Sequence, residues 1–224
     1  MPVRSLRVAA RLAASALSVV TAGALVAAGP APSAAAQGCS DVELIFARGT
    51  SEPAGIGRVG QALADAMRPI LGGRTLSTYG VNYPATYDFL TTAAGASDAT
   101  ARIASVSSQC PGTRFVLGGY SQGAAVVDML AGVPPLGDRI GEIGSAPPLP
   151  GNLSSDVAAV AVFGNPAAKF GNPVSARGLF AGRSLDLCSD GDPICSNGRN
   201  PFAHTRYETS PFIGQAAGFA AGLV

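Results

Sequence analysis

The sequence is short of charge and nearly without histidine. Charged residues make up 13% of its 224 positions, and His204 is the single histidine. Fifteen Lys and Arg stand against fourteen Asp and Glu. So balanced a chain offers no basic face for nucleic acid and no polarity suited to an anionic surface. No C-x-x-C spacing occurs, and one histidine leaves few ligands for a structural zinc. Internal repeats and long low-complexity stretches are absent beyond the N-terminal segment. What remains is an apolar chain, 47% hydrophobic, suited to a compact globule built on an apolar sheet.

The first residues read "MPVRSLRVAARLAASALSVVTAGALVAAGPAPSAAAQGC". Arg4, Arg7 and Arg11 form a positive start. Leu12 to Ala28 is an alanine-rich apolar stretch, broken by Pro30 and Pro32. Ala34-Ala35-Ala36 offers a small-residue cleavage site. Residues 1–36 are therefore expected to be a secretory signal peptide, cut near Ala36. The rival reading, a membrane anchor, is disfavoured by a short run poor in Leu and Ile. No twin-Arg pair is present, which points to a general secretory route and an extracellular protein. Residues 37–224 then form one domain of ordinary size.

All four cysteines, Cys39, Cys110, Cys188 and Cys195, follow that site. An even count in an exported chain implies two disulfides. Three pairings can be drawn. The closeness of Cys188 to Cys195 favours that pair and leaves Cys39 with Cys110.

Apolar runs and periodicity set the expected elements. Strands are expected at Val42–Ala47, Thr75–Tyr83, Arg114–Gly118, Val157–Phe163 and Arg183–Cys188. Helices are expected at Gly57–Leu71, Ala94–Ser108 and Gln122–Ala131, with a last one opened by Pro211 and capped by Ser210. Strands alternating with helices imply a mostly parallel, five-stranded sheet covered on both faces. Little chain is left for a lid.

Within this pattern stands "FVLGGYSQGAAVVDML", residues 115–130. Gly-x-Ser-x-Gly alone is three fixed letters, and a glycine-rich loop is its plain alternative. Here a strand precedes it and a helix with Ala125, Val126, Met129 and Leu130 at helical spacing follows. Strand, elbow and helix are the setting of a nucleophilic serine, Ser121. A serine hydroxyl needs a base, and the base needs an orienting acid. His204 is the one available base. Acids lying between serine and histidine in order, or just after the elbow, are Asp128, Asp138, Glu142, Asp156, Asp186, Asp190 and Asp192. Asp190 and Asp192 follow a strand inside "CSDGDPIC", where a closed loop would hold a carboxylate still. Spacing does not separate these two. Oxyanion donors are expected from the Gln122 backbone and from "ARGTSEPAGIG", where Thr50 offers an N–H and a hydroxyl. An acyl groove is expected from Tyr83, Tyr87, Phe89, Leu90 and Phe202, for which ordinary core packing is the alternative.

These stretches together resemble the cutinase family, in its secreted actinobacterial branch of serine esterases. The matching segments are "GYSQG" at Gly119–Gly123, "ARGTSEP" at Ala47–Pro53, "CSDGDPIC" at Cys188–Cys195 and "HTRY" at His204–Tyr207, and they span the whole domain. The resemblance implies a minimal α/β hydrolase without a lid. It implies a Ser121–His204–Asp192 triad, Thr50 and Gln122 at the oxyanion hole, and both cysteine pairs. It implies no cofactor and no metal. The family usually carries Ser where this chain has Thr50; the hydroxyl survives and a methyl is added. The expected activity is hydrolysis of short- to medium-chain acyl esters of small, lipid or polyester character, by a monomer without nucleic-acid or stable membrane partners. Rival readings are an acetylxylan-type acetyl esterase and a non-catalytic cell-envelope protein on the same scaffold.

Overall fold

The computed structural model describes residues 38–137 and 142–224. The expected signal segment and Asp138 lie outside them. The elements run β1 (Val42–Ala47), α1 (Gly57–Met67), β2 (Leu76–Gly80), α2 (Thr92–Gln109), β3 (Arg114–Tyr120) and α3 (Gln122–Ala131). They continue with α4 (Gly151–Ser154), β4 (Val157–Phe163), α5 (Pro166–Lys169), β5 (Ser184–Leu187), α6 (Pro201–His204) and α7 (Phe212–Ala221).

The five strands form one sheet in the order β2-β1-β3-β4-β5, every pairing parallel. Alternation along each strand sends side chains to opposite faces. Ile45, Ala47, Phe115, Leu117, Val160 and Val162 join the core beneath α2 and α3. Leu44, Phe46, Val116, Ala159, Ala161 and Phe163 join the second core, beneath α1 and α7. Both faces are thus covered, which is why β1, β3 and β4 read as unbroken apolar runs. Burying a Leu, Ile or Phe side chain contributes about 1.5–3 kcal/mol, so these two layers supply most of what holds the sheet.

Three expected boundaries shift for identifiable reasons. The helix expected to reach Leu71 ends at Met67 and tightens into a 3-10 turn, Arg68–Ile70, because Pro69 has no N–H to donate. The second strand stops at Gly80, where its pairing with Phe46 ends. Ser210 does not cap α7; its hydroxyl donates back to the Tyr207 carbonyl at 2.8 Å. Disulfides join Cys39 to Cys110 and Cys188 to Cys195. The first ties the chain's entry into β1 to the end of α2. The second closes the loop after β5.

The strand order places the functional loops. The chain passes from β1 outward to β2, then returns to the other side of β1 for β3. Loops after β1 and β3 therefore diverge at the carboxyl edge, the crevice where ligands settle in open parallel sheets. Thr50 follows β1 and Ser121 follows β3, and these strands pair Ala47 with Gly119.

Candidate active site

Ser121 sits between β3 and α3 with φ 56° and ψ −116°. A non-glycine residue there is strained, and such strain concentrates at functional sites. The turn is possible because glycines stand two residues to either side, at Gly119 and Gly123. A Cβ on Gly123 would stand 1.9 Å from the Ala47 carbonyl oxygen, so α3 could not approach β1 with any other residue. The serine backbone is pinned by its N–H donating to the Phe163 carbonyl at 2.9 Å. Its side chain makes no capping bond to α3 and points instead at an imidazole.

That imidazole belongs to His204, the last residue of α6. Its Nε2 lies 2.8 Å from Ser121 Oγ. Its Nδ1 lies 2.7 Å from Asp192 Oδ2. Asn200 starts the short helix by accepting the Phe202 N–H on its side-chain oxygen, and Tyr120 donates its hydroxyl to the His204 carbonyl at 2.7 Å. The Tyr120 ring lies 5.2 Å from the imidazole. Burial pushes the Tyr120 hydroxyl up to about 12, so it remains a donor at neutral pH. Gly164, at φ +59°, leaves room for the pair: a Cβ there would come within 2.7 Å of His204 Cε1.

Asp192 is fully buried inside the Cys188–Cys195 loop. Burial pushes its pKa up, but hydrogen bonds from His204, Tyr207 and the Ile194 N–H outweigh this and hold it below the usual carboxylate range. The Ile194 N–H reaches Oδ1 at 2.7 Å and the Tyr207 hydroxyl reaches Oδ2 at 2.6 Å. Asp190, two residues earlier, is exposed. The other candidate acids stand apart: Asp156 accepts from Ser107, and Asp186 from Asn165 and the Ser175 N–H. Asp128 is buried in α3 and accepts from Asn165.

Tyr207 was legible only as the last letter of "HTRY". Its ring is fully buried, and its hydroxyl accepts the Ser189 N–H at 2.9 Å while donating to Asp192. Arg48 was likewise unassigned. Its buried guanidinium donates to the carbonyls of Glu52, Val81, Tyr83 and Pro84, tying the loop after β1 to the loop after β2. Thr50 lies in the first of these loops. Its hydroxyl donates to Gln122 Oε1 at 2.9 Å, and the Gln122 amide donates to Thr92 Oγ1 at 2.9 Å. Gln122 opens α3, where the first N–H groups have no acceptor within the helix. Thr50, from the loop after β1, is thus joined through its side chain to the residue that follows the serine.

The cavity over Ser121 has a volume of about 490 Å³. Tyr87 and Phe89 line it as expected, joined by Leu136, Ile143, Pro166 and Ile194. Three expected members do not. Tyr83 is 4% exposed, with its hydroxyl on the Arg48 carbonyl, because β2 ends early and turns it inward. Leu90 is exposed outside the cavity. Phe202 borders a different depression, beside Ser189 and Arg206.

The sequence profile of the Cutinase family matches residues 38–224. The chain belongs to the cutinase family. Phospholipase Culp4 of Mycobacterium tuberculosis is 46% identical over 87% of this chain and 83% of its own length. The probable carboxylesterase Culp3 of the same organism is 47% identical over 84% of this chain and 71% of its own. The solved structure of Trichoderma reesei cutinase in complex with a C11Y4 phosphonate inhibitor superposes with a TM-score of 0.64 at 34% identity, covering 83% of this chain and 77% of that one. This chain is a carboxylic ester hydrolase with an α/β-hydrolase fold. Among its described residues no helix is long and apolar enough to cross a membrane.

Proposed function

We propose that this protein hydrolyses short- to medium-chain acyl esters through an acyl-enzyme on Ser121. The observation that carries the reading is the 2.8 Å approach of Ser121 Oγ to His204 Nε2, with the second imidazole nitrogen on buried Asp192. His204 takes the serine proton as Oγ attacks the ester carbonyl. Asp192 keeps Nδ1 protonated, so that Nε2 is the basic nitrogen, and stabilises the imidazolium that forms. The oxyanion is met by the N–H groups of Thr50 and Gln122, with the Thr50 hydroxyl beside them. The tetrahedral intermediate collapses as His204 returns the proton to the leaving alcohol. Water, activated by the same nitrogen, then releases the acid. Each step is a proton transfer or acyl transfer, so neither metal nor organic cofactor is required.

The apolar lining by Tyr87, Phe89, Leu136, Ile143 and Ile194 supports an acyl chain longer than acetyl, which favours this reading over an acetylxylan-type esterase. Ser121 is partly exposed in an open cavity, which supports cleavage of soluble esters without a lipid–water interface. The protein acts as a secreted monomer, released near Ala36; its two disulfides support an oxidising compartment.

A fluorophosphonate probe tests the reading directly. Wild type should be labelled on Ser121, and Ser121→Ala and His204→Ala should each lose ester hydrolysis by several orders of magnitude, with the double variant little worse than either. Near wild-type activity in either single variant would overturn it, as would an unlabelled wild type.

A further inference from the structure

Two tyrosine rings border the His204 imidazole, and they meet it differently. Tyr207 stands nearly perpendicular to it, at 87° and 6.1 Å between centroids. Tyr120 lies 31° from parallel at 5.2 Å. At that separation and tilt the two rings are offset-stacked, with the π face of the tyrosine toward the imidazole. Tyr120 is the last residue of β3. The ring that meets the imidazole therefore comes from the residue just before Ser121.

That ring is firmly held. A Cβ on Gly49 would fall 2.6 Å from its Cδ1 and 2.7 Å from its Cε1, so the backbone of the loop after β1 backs it directly. The Gly49 N–H is itself fixed, donating to Glu52 Oε2 at 2.7 Å. The Tyr207 ring packs against it at 5.8 Å. The Tyr120 hydroxyl donates to the His204 carbonyl at 2.7 Å and accepts from Arg58 Nη2 at 3.5 Å. Tyr120 thus grips His204 twice, at its backbone through a hydrogen bond and at its side chain through ring contact.

We infer that Tyr120 is a positioning residue of the acyl transfer: hydroxyl and ring together aim the imidazole at Ser121, and the π face stabilises the imidazolium that forms. The inference rests on the acyl-enzyme reading above. As Ser121 Oγ bonds to the ester carbonyl carbon, its proton passes to Nε2 and the imidazole gains a positive charge. A cation over an aromatic face within about 6 Å is attracted by the ring's quadrupole; a neutral imidazole gains far less. The interaction is stronger in the transition state than before it, which raises kcat rather than lowering KM. The other charges near the imidazole are Asp192 on Nδ1 and, beside the tyrosine, Arg58. Arg58 lies 5.7 Å from the centroid of the Tyr120 ring, and its charge is met by Glu52 at 3.2 Å and Glu208 at 3.3 Å. Two carboxylates on one guanidinium leave no net positive charge there to oppose the imidazolium. Arg206 borders the separate depression beside Phe202.

The experiment places phenylalanine, 4-fluorophenylalanine and 3,4,5-trifluorophenylalanine at position 120, with Tyr120→Leu alongside. Fluorine draws charge from the π face while nearly keeping the ring's shape. Each variant is assayed for kcat and KM on methyl butyrate across pH, and its melting temperature is followed. The acid limb of kcat/KM reports the free enzyme's base losing its proton. Relative to phenylalanine, the midpoint of that limb should move to lower pH in step with fluorination, by about half a unit at the trifluoro ring. Over the same series kcat should fall about threefold with KM unchanged. Tyr120→Leu should shift the midpoint at least as far. Tyr120→Phe, which keeps the ring and loses the hydroxyl, should lower kcat about two- to tenfold and leave the midpoint in place. A midpoint that ignores fluorination would overturn the assignment, since a ring that only fills space behaves that way; this series decides the matter whether or not Tyr120→Leu folds. Fluorophosphonate labelling of wild type is run in parallel. If Ser121 is labelled while the midpoint stands still, the Tyr120 assignment alone falls; if wild type is unlabelled, the acyl-enzyme reading falls and takes the assignment with it.

Discussion

Tyr207 donates its hydroxyl at 2.6 Å to the very oxygen of Asp192, Oδ2, that lies 2.7 Å from His204 Nδ1. Two donors on one oxygen share its negative charge between them. Its other oxygen is engaged by the Ile194 N–H. The carboxylate is therefore fixed in orientation, and the tyrosine ring lies 6.1 Å from the same imidazole.

Tyr207→Phe should lower kcat more than it changes KM, and should lower stability at neutral pH by about 1.5–3 kcal/mol, the range for a hydrogen bond to a charged group. The sign of the pH dependence follows from Asp192, whose folded pKa is depressed. The stability it contributes is full above its unfolded value of about 3.9 and is lost as pH falls through the lower folded one. The gap in melting temperature between wild type and variant should therefore be widest above about pH 4 and close below it. A gap independent of pH would show that the hydroxyl does not act through the carboxylate.

Asp192→Asn keeps size but admits the wrong imidazole tautomer, which in a triad of this kind costs a factor on the order of 10⁴ in kcat. Asp190→Asn, at an exposed position, should change activity little. The two variants are compared by kcat/KM at neutral pH with circular dichroism as a folding check. Greater damage from a folded Asp190→Asn would move the orienting role to the wrong carboxylate and sink the assignment. Reduction of Cys188–Cys195 should act in the direction of Asp192→Asn, since the loop then loses its closure.

Thr50→Val removes a hydroxyl and keeps the side chain's volume. If that hydroxyl serves the oxyanion, kcat should drop by about 10- to 1000-fold with KM nearly constant. Thr50→Ser should be mild. Because the hydroxyl is parked on Gln122 Oε1 at 2.9 Å, turning it to the oxyanion breaks one bond as another forms. Unchanged kcat in Thr50→Val would assign the oxyanion to backbone N–H groups alone.

Asp128 is fully buried in α3, and Oδ2 has no hydrogen-bond partner. Burial pushes its pKa far above the usual carboxylate range; Asn165 opposes this by donating to it, and the nearby Asp186 charge adds to it. A raised folded pKa means that its favourable contribution is complete below the unfolded value of about 3.9 and is lost as pH rises toward the folded one. Asp128→Asn cannot ionise. Its melting temperature relative to wild type should therefore climb as pH is raised from about 4 to 8. A difference flat across that range would mean that Asp128 is not the group that loses stability.

Much of this enzyme was readable in one dimension. Fully buried parallel strands must be apolar on both faces, so β1, β3 and β4 announced themselves as runs. The elbow was readable because only glycine admits the approach of α3 to β1, and His204 because no other histidine exists. The single base and the even cysteine count left few ways to assemble the site. Residues whose importance lies in a partner far along the chain were not readable. Asp190 and Asp192 are equal in local chemistry. They part only because the loop after β5 folds one inward, against a histidine 12 residues on and a tyrosine 15 residues on. Arg48 is an ordinary surface letter until two loops surround it with carbonyls. The lining of the cavity over Ser121 was misjudged at Tyr83, Leu90 and Phe202 for the same reason. An aromatic or aliphatic residue is equally at home in a core, a cavity wall or a rim, and which of these it occupies depends on where β2 stops and how the loops close, which no local pattern records.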